Sequence, residues 1–209
     1  MHDYYHKVIS NKFSYLILLI CIIAVGLFLR IYQLGYDQLW TDEAFTGYIA
    51  LTEEWLTYLR IDNTPPLYYL IQRAWCGPVT CNEFVLRLPS VFAGGFFILL
   101  IGMFCKQLFG KKVAIIIVLI AALSPIHIYY SQEARVYSIL LLTLLIFLYL
   151  QWHLINKEAK PGEYFLFFSI CLIAFFLHYF SLIVIVVCLF VFTVENILNY
   201  RKISRGYFI

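Results

Sequence analysis

FSYLILLICIIAVGLFL, residues Phe13 to Leu29, carries no charge and ends directly on Arg30-Ile31-Tyr32. A bilayer core is crossed by about 20 apolar residues, with a range of about 17–25. A run of this kind decides the fold class, and it is not alone. Further apolar runs extend from Leu88 to Cys105, Val113 to Tyr130 and Val136 to Ile155. A single uncharged stretch from Tyr164 to Val194 follows, too long for one span and slightly short for two. Lysines and arginines flank it on both sides, which favours a hairpin turning near His178-Tyr179-Phe180-Ser181. The expectation is an all-α integral membrane protein of about six transmembrane helices: 13–32, 88–108, 113–130, 136–155, 164–180 and 181–198.

The composition agrees. The chain is 63% hydrophobic and 13% charged, with mean hydropathy +0.85. Soluble domains hold about 45–50% apolar and about 25% charged residues. The net charge of +3 gives no reason to expect a nucleic-acid partner; the surroundings are membrane lipids. Phe13–Leu29 is long for a signal-peptide core and lacks a small-residue cleavage site, so it reads as a retained first helix. With the N-terminus in the cytoplasm, all eight lysines fall inside, as positive-inside orientation requires. The loop 35–87 then faces outward, from the plasma membrane if the source is bacterial. Arg30, Arg60, Arg73, Arg87 and Arg135 also lie outside and need another reason to be there. For Arg30 and Arg73 that reason is snorkelling to the headgroups.

The outer loop holds Leu39-Trp40-Thr41-Asp42-Glu43-Ala44-Phe45-Thr46, two adjacent acids between aromatic rings. Apolar residues recur there at helical spacing, which predicts two short amphipathic helices capped by Thr41 and Thr52. In that light Asp42-Glu43 could simply answer a helix dipole. Pro66 starts a third short helix, which reaches about Trp75 and is too short to span. Pro89 sits in the first turn of the second span, and Gly94-Gly95 allow a neighbouring helix to approach closely. Glu133 and Arg135, two residues apart, do not face each other on a helix and so have separate partners. Cys76 and Cys81 flank Gly77-Pro78-Val79-Thr80, a turn that can bring them together as a disulfide in an oxidising compartment. Ionisable groups gather at one face and are scarce within the spans, unlike a transporter's midplane site. The whole of 1–209 reads as one module.

Taken together, Trp40-Thr41-Asp42-Glu43-Ala44, Thr64-Pro65-Pro66-Leu67-Tyr68-Tyr69, Arg87-Leu88-Pro89-Ser90, Ser124-Pro125-Ile126-His127, Ser131-Gln132-Glu133-Ala134-Arg135 and His178-Tyr179-Phe180 resemble the N-terminal half of the GT-C membrane glycosyltransferases. The protein mannosyltransferase-like group and its bacterial relatives are the nearest. The resemblance implies a polyprenyl-phosphate-linked sugar as donor, an unidentified acceptor hydroxyl, and inversion at the anomeric carbon on the outer face. Asp42 is then the expected catalytic base. Glu43 orients it or binds acceptor, or the two acids together hold a divalent cation with phosphate oxygens. Arg87 and Arg135, with His127 and His178, are expected at the donor phosphate. Trp40, Pro65, Pro66, Tyr68, Tyr130 and Glu133 are expected in the substrate pocket. Members of the group usually have about twice as many spans. The alternative expectation is therefore a non-catalytic remnant or carrier-binding subunit that needs a partner or a missing C-terminal half.

Overall fold

The computed structural model describes the backbone of residues 2–77, 81–157 and 160–206, and side chains within 14–194 of these. The described residues form ten α-helices: α1 (His2–Ile31), α2 (Thr41–Leu51), α3 (Trp55–Ile61), α4 (Leu67–Cys76), α5 (Glu83–Phe109), α6 (Lys111–Leu123), α7 (Pro125–Ser131), α8 (Tyr137–Asn156), α9 (Pro161–Leu177) and α10 (Ser181–Gly206). The chain is an all-helical integral membrane protein.

The span count corrects the expectation of six. Among the described residues, α1, α5 and α8 are long and apolar enough alone, and the pair α6–α7, bent by 57°, makes a fourth if it counts as one span. Proline breaks the run 113–130: α6 stops at Leu123 because Pro125 has no N–H to continue the ladder. In the uncharged stretch 164–194 the chain turns at His178, as the flanking charges suggest. Each half of the uncharged stretch is then short, although α10 itself continues to Gly206. The 17 residues of α9 rise about 25 Å, below a hydrocarbon core of about 30 Å.

The main core joins α1, α5, α6 and α8 through Ile22, Phe97, Ile98, Val118, Ala121, Ala122 and Leu145. Small residues let these helices close. A Cβ on Gly26 would lie 2.9 Å from Ile98 Cδ1 and 3.0 Å from Ala122 Cβ. One on Gly94 would collide with Ser131 Oγ. A second cluster, with Phe147, Phe167, Ala174 and Ile185, ties α8 to α9 and α10.

Side chains repair the backbone wherever proline interrupts it. Pro89 lies inside α5, which starts at Glu83 and not at Arg87, with Asn82 capping through Val85 N–H. The missing N–H of Pro89 orphans the carbonyl of Val85, and Trp75 Nε1 donates to that oxygen at 2.9 Å. Gln72 Nε2 donates to the next carbonyl, Leu86 O, at 3.1 Å. At the second break, Pro125 orphans Ala121 O. Arg30 supplies the donors: Nη2 to Ala121 O at 3.1 Å and Nη1 to Ala122 O at 3.2 Å. Arg30 also bonds Gly26 O and Ser131 Oγ. It is fully buried, so it does not snorkel. Arg73 does not snorkel either. It caps α2 through Ala50 O and Thr52 O and lies over the Trp55 ring at 5.2 Å.

The two loop helices form, but their caps differ from expectation. Trp40 occupies the N-cap position of α2, and Thr41 is its first helical residue. Thr52 closes α2, and its hydroxyl accepts from Glu54 N–H. Cys76 and Cys81 are joined as a disulfide with a Cα–Cα separation of 5.2 Å.

Candidate functional site

Asp42 and Glu43 are neighbours in the first turn of α2, and helical geometry points them in different directions. Glu43 faces inward and is fully buried. Its Oε1 accepts from Arg87 Nε at 2.9 Å and from Ala134 N–H at 2.6 Å, and its Oε2 from Arg87 Nη2 at 2.7 Å. Arg87 also donates to Leu34 O, Asp37 O and Gln38 O. This guanidinium, expected at a phosphate, thus spends its donors on the loop that precedes α2. One carboxylate fastens three segments: α2, the start of α5, and the loop between α7 and α8.

Asp42 faces the other way, with 45% of its side chain exposed. Its Oδ2 lies 3.3 Å from Arg135 Nη2. Arg135 Nη1 also reaches Asp42 O at 3.4 Å, and Ser90 Oγ donates to Arg135 O at 3.2 Å. Arg135 Nε is buried without a hydrogen-bond partner. The two acids and the two residues 134 and 135 therefore work in register: Glu43 holds Ala134, and Asp42 meets Arg135.

Tyr69 and Asp62 form a further contact, and neither is among the site residues expected from the sequence. The Tyr69 hydroxyl donates to Asp62 Oδ2, and Thr64 donates to Asp62 Oδ1 at 3.2 Å. Burial first, and the Asp62 carboxylate second, push the Tyr69 phenol up to about 12. The spacing Asp62-x-Thr64 before two prolines is the signal that could have revealed this knot.

The remaining expected residues separate into groups. Tyr68 is buried, and its hydroxyl accepts from Gln72 at 2.7 Å, so its ring packs with Val136 and Leu177. Pro65 is buried and Pro66 is the N-cap of α4. His178 follows Leu177 at the end of α9, so it lies at the Tyr68–Val136 side of the bundle. His127 and Tyr130 instead line a separate cavity of about 280 Å³ under the α6–α7 bend, where His127 stacks on Phe97 at 5.3 Å. Trp40 and Glu133 line a second, smaller hollow beside the Glu43–Arg87 pair. Burial raises the Glu133 carboxyl above its ordinary range, Glu43 adds to that, and Tyr129 and the arginines oppose it.

A divalent cation does not fit Asp42 and Glu43. Both oxygens of Glu43 are occupied by N–H donors, and Asp42 meets a guanidinium. Among the described residues no three His, Cys, Asp or Glu side chains are arranged to hold a metal.

The chain is an all-helical membrane protein, and its sequence profile places it among the membrane glycosyltransferases of the GT-C kind. More narrowly, it belongs to the dolichyl-phosphate-mannose-protein mannosyltransferase family, whose sequence profile matches residues 63–208. Arg87, His127, Glu133, Arg135 and His178 lie inside that match, and Trp40, Asp42 and Glu43 precede it. No curated protein and no solved structure matches the chain.

Proposed function

We propose that the protein moves a sugar from a polyprenyl-phosphate donor to an acceptor hydroxyl at the outer membrane face, with inversion. The observation that carries this reading is the exposed Asp42 carboxylate facing Arg135 while its neighbour Glu43 is locked away. Asp42 accepts the proton of the acceptor hydroxyl as that oxygen bonds to the anomeric carbon. The bond from that carbon to the phosphate oxygen breaks, and polyprenyl phosphate leaves. Positioned general bases of this kind contribute about 10²–10⁴ in rate.

Arg135 receives the departing phosphate. Its guanidinium can grip phosphate at two oxygens, and electrostatic stabilisation of a leaving anion amounts to several kcal/mol. Arg135 meets the half-exposed Asp42 carboxylate through one long contact of 3.3 Å, which a phosphate can displace. Donor binding would thereby release the base. Arg87 and Glu43 act as the framework that keeps Asp42 and Arg135 opposed.

The test is transfer of labelled sugar from polyprenyl phosphate in proteoliposomes. Asp42→Asn should cut the rate by about 10²–10⁴ with the protein's thermal stability preserved. An undiminished rate would remove Asp42 from the reaction.

A further inference from the structure

At the end of the bundle remote from Asp42, the start of α1, the end of α5 and the start of α6 enclose a groove of about 420 Å³. Leu19, Gly102 and Met103 give it an apolar wall, and Tyr15, Lys106 and Lys111 are its polar members. Both ammonium groups lie over one ring: Lys106 Nζ is 5.5 Å and Lys111 Nζ 5.4 Å from the Tyr15 centroid. Among the described residues neither is paired with a carboxylate. The Tyr15 hydroxyl is shielded from solvent and has no hydrogen-bond partner among the described residues, which is costly unless something accepts from it.

The helices explain one of these cations and not the other. Lys106 suits the last turn of α5, where a cation answers the helix dipole. Lys111 and Lys112 open α6, whose first turn holds no acid, at the end of a helix that already bears partial positive charge. Gly110, at φ 82°, brings no side chain to cap that end. The first helical bond runs from Ala114 N–H to Gly110 O at 3.1 Å, so the N–H groups of Lys111, Lys112 and Val113 precede it without a helical acceptor. Orientation in a membrane accounts for lysines at this end. It does not account for two of them over one ring beside an uncapped helix start.

Two ammonium groups, a bare helix N-terminus and an unpaired phenol require the same thing, an anion with several acceptor oxygens. Phosphate meets that description. The wall then separates a lipid from a free ion. Met103 is 58% exposed, and an acyl chain laid on it covers apolar surface that a bare phosphate would leave open. Tyr15 and Lys106 stand near the ends of the two long apolar helices α1 and α5, at the depth of lipid headgroups. The absence of any acid from the lining leaves nothing to hold the cationic half of a zwitterionic headgroup.

We infer that this groove binds an anionic phospholipid. Its phosphate meets Lys106, Lys111 and the start of α6, and one acyl chain lies along α1 and α5 against Leu19 and Met103. The site is separate from the one that carries the glycosyl-transfer reading, and the two stand or fall independently.

Native mass spectrometry of the detergent-solubilised full chain, titrated with phosphatidylglycerol or with phosphatidylcholine of the same acyl chains, tests it. One phosphatidylglycerol should be held about tenfold or more tightly than phosphatidylcholine, and Lys106→Gln combined with Lys111→Gln should abolish that preference. Each single change should cost about fivefold. Lys112→Gln removes the same charge from a side chain outside the lining and should leave the preference in place. Lys106 and Lys111 are both exposed, so their variants keep the fold. Tyr15→Phe alters no charge and should weaken binding about threefold, which reads the groove independently of the lysines. Equal retention of the two lipids, or a loss in Lys112→Gln as large as in Lys111→Gln, would overturn the inference, because charge at this end of the bundle would then suffice without a site. Displacement of the lipid by inorganic phosphate alone would also overturn it, since the groove would then recognise the ion and not the lipid.

Discussion

Glu43–Arg87 and Asp42–Arg135 start from adjacent acids on one helix, yet they are opposite kinds of ion pair. The first is closed: side-chain exposures of 1% and 7%, a fork of two contacts, and a third donor from Ala134. The second is more open: one carboxylate contact at 3.3 Å and a longer one to Asp42 O at 3.4 Å, with Asp42 45% and Arg135 15% exposed. A buried pair with both carboxylate oxygens engaged holds geometry, whereas a more exposed pair adds less to stability and can exchange partners. The same chemistry therefore serves as framework in one place and as a releasable latch in the next.

The sharpest way to break this contrast is to remove one partner of the closed pair. Glu43→Ala or Arg87→Ala should lower stability by about 3–5 kcal/mol, read as a large fall in the detergent melting temperature. The double variant should cost less than the sum of the two. Arg87→Lys keeps the charge but loses the fork, so a smaller loss of about 1.5–3 kcal/mol is expected in the same assay. If lysine restores full stability, the fork is not what matters. Asp42→Asn should change stability by under about 1 kcal/mol. A larger loss would make the open pair part of the framework.

The smallest effect concerns Glu133. Its carboxyl is raised mainly by burial, so the folded state keeps a proton at pH values where the unfolded chain has lost it. Stability should therefore fall as pH rises from the ordinary glutamate range through the raised value. Glu133→Gln should flatten that slope in melting curves taken across the window. An unchanged slope would assign the pH dependence to other groups.

The membrane class and most helix positions were legible because they depend on local hydropathy and on punctuation by Pro and charge. The division at His178 is an example. The number of spans was less legible, because the uncharged stretch 164–194 divides into two short apolar helices and an apolar run does not say whether the bent pair α6–α7 crosses as one. The paired acids stood out at once, but their separate fates did not. Arg87 and Arg135 look alike in a sequence; which one is buried depends on Leu34, Asp37 and Gln38 converging on Arg87 from another loop. Arg30 was misplaced for a related reason. Its position after an apolar run is that of a headgroup anchor, and only the carbonyls freed by Pro125, across the bundle, draw it in.

That last arrangement imposes an order on biogenesis. Arg30 emerges from the ribosome 91 residues before Ala121, whose carbonyl it will bond. Until then Gly26 O of its own helix is the one of these partners already made, and its charge is best accommodated at the headgroups, where the sequence alone places it. The first helix must then wait, incompletely seated, while α5 and α6 are synthesised and inserted. Burial of Arg30 beneath the α6–α7 bend follows as a late step that locks the bundle.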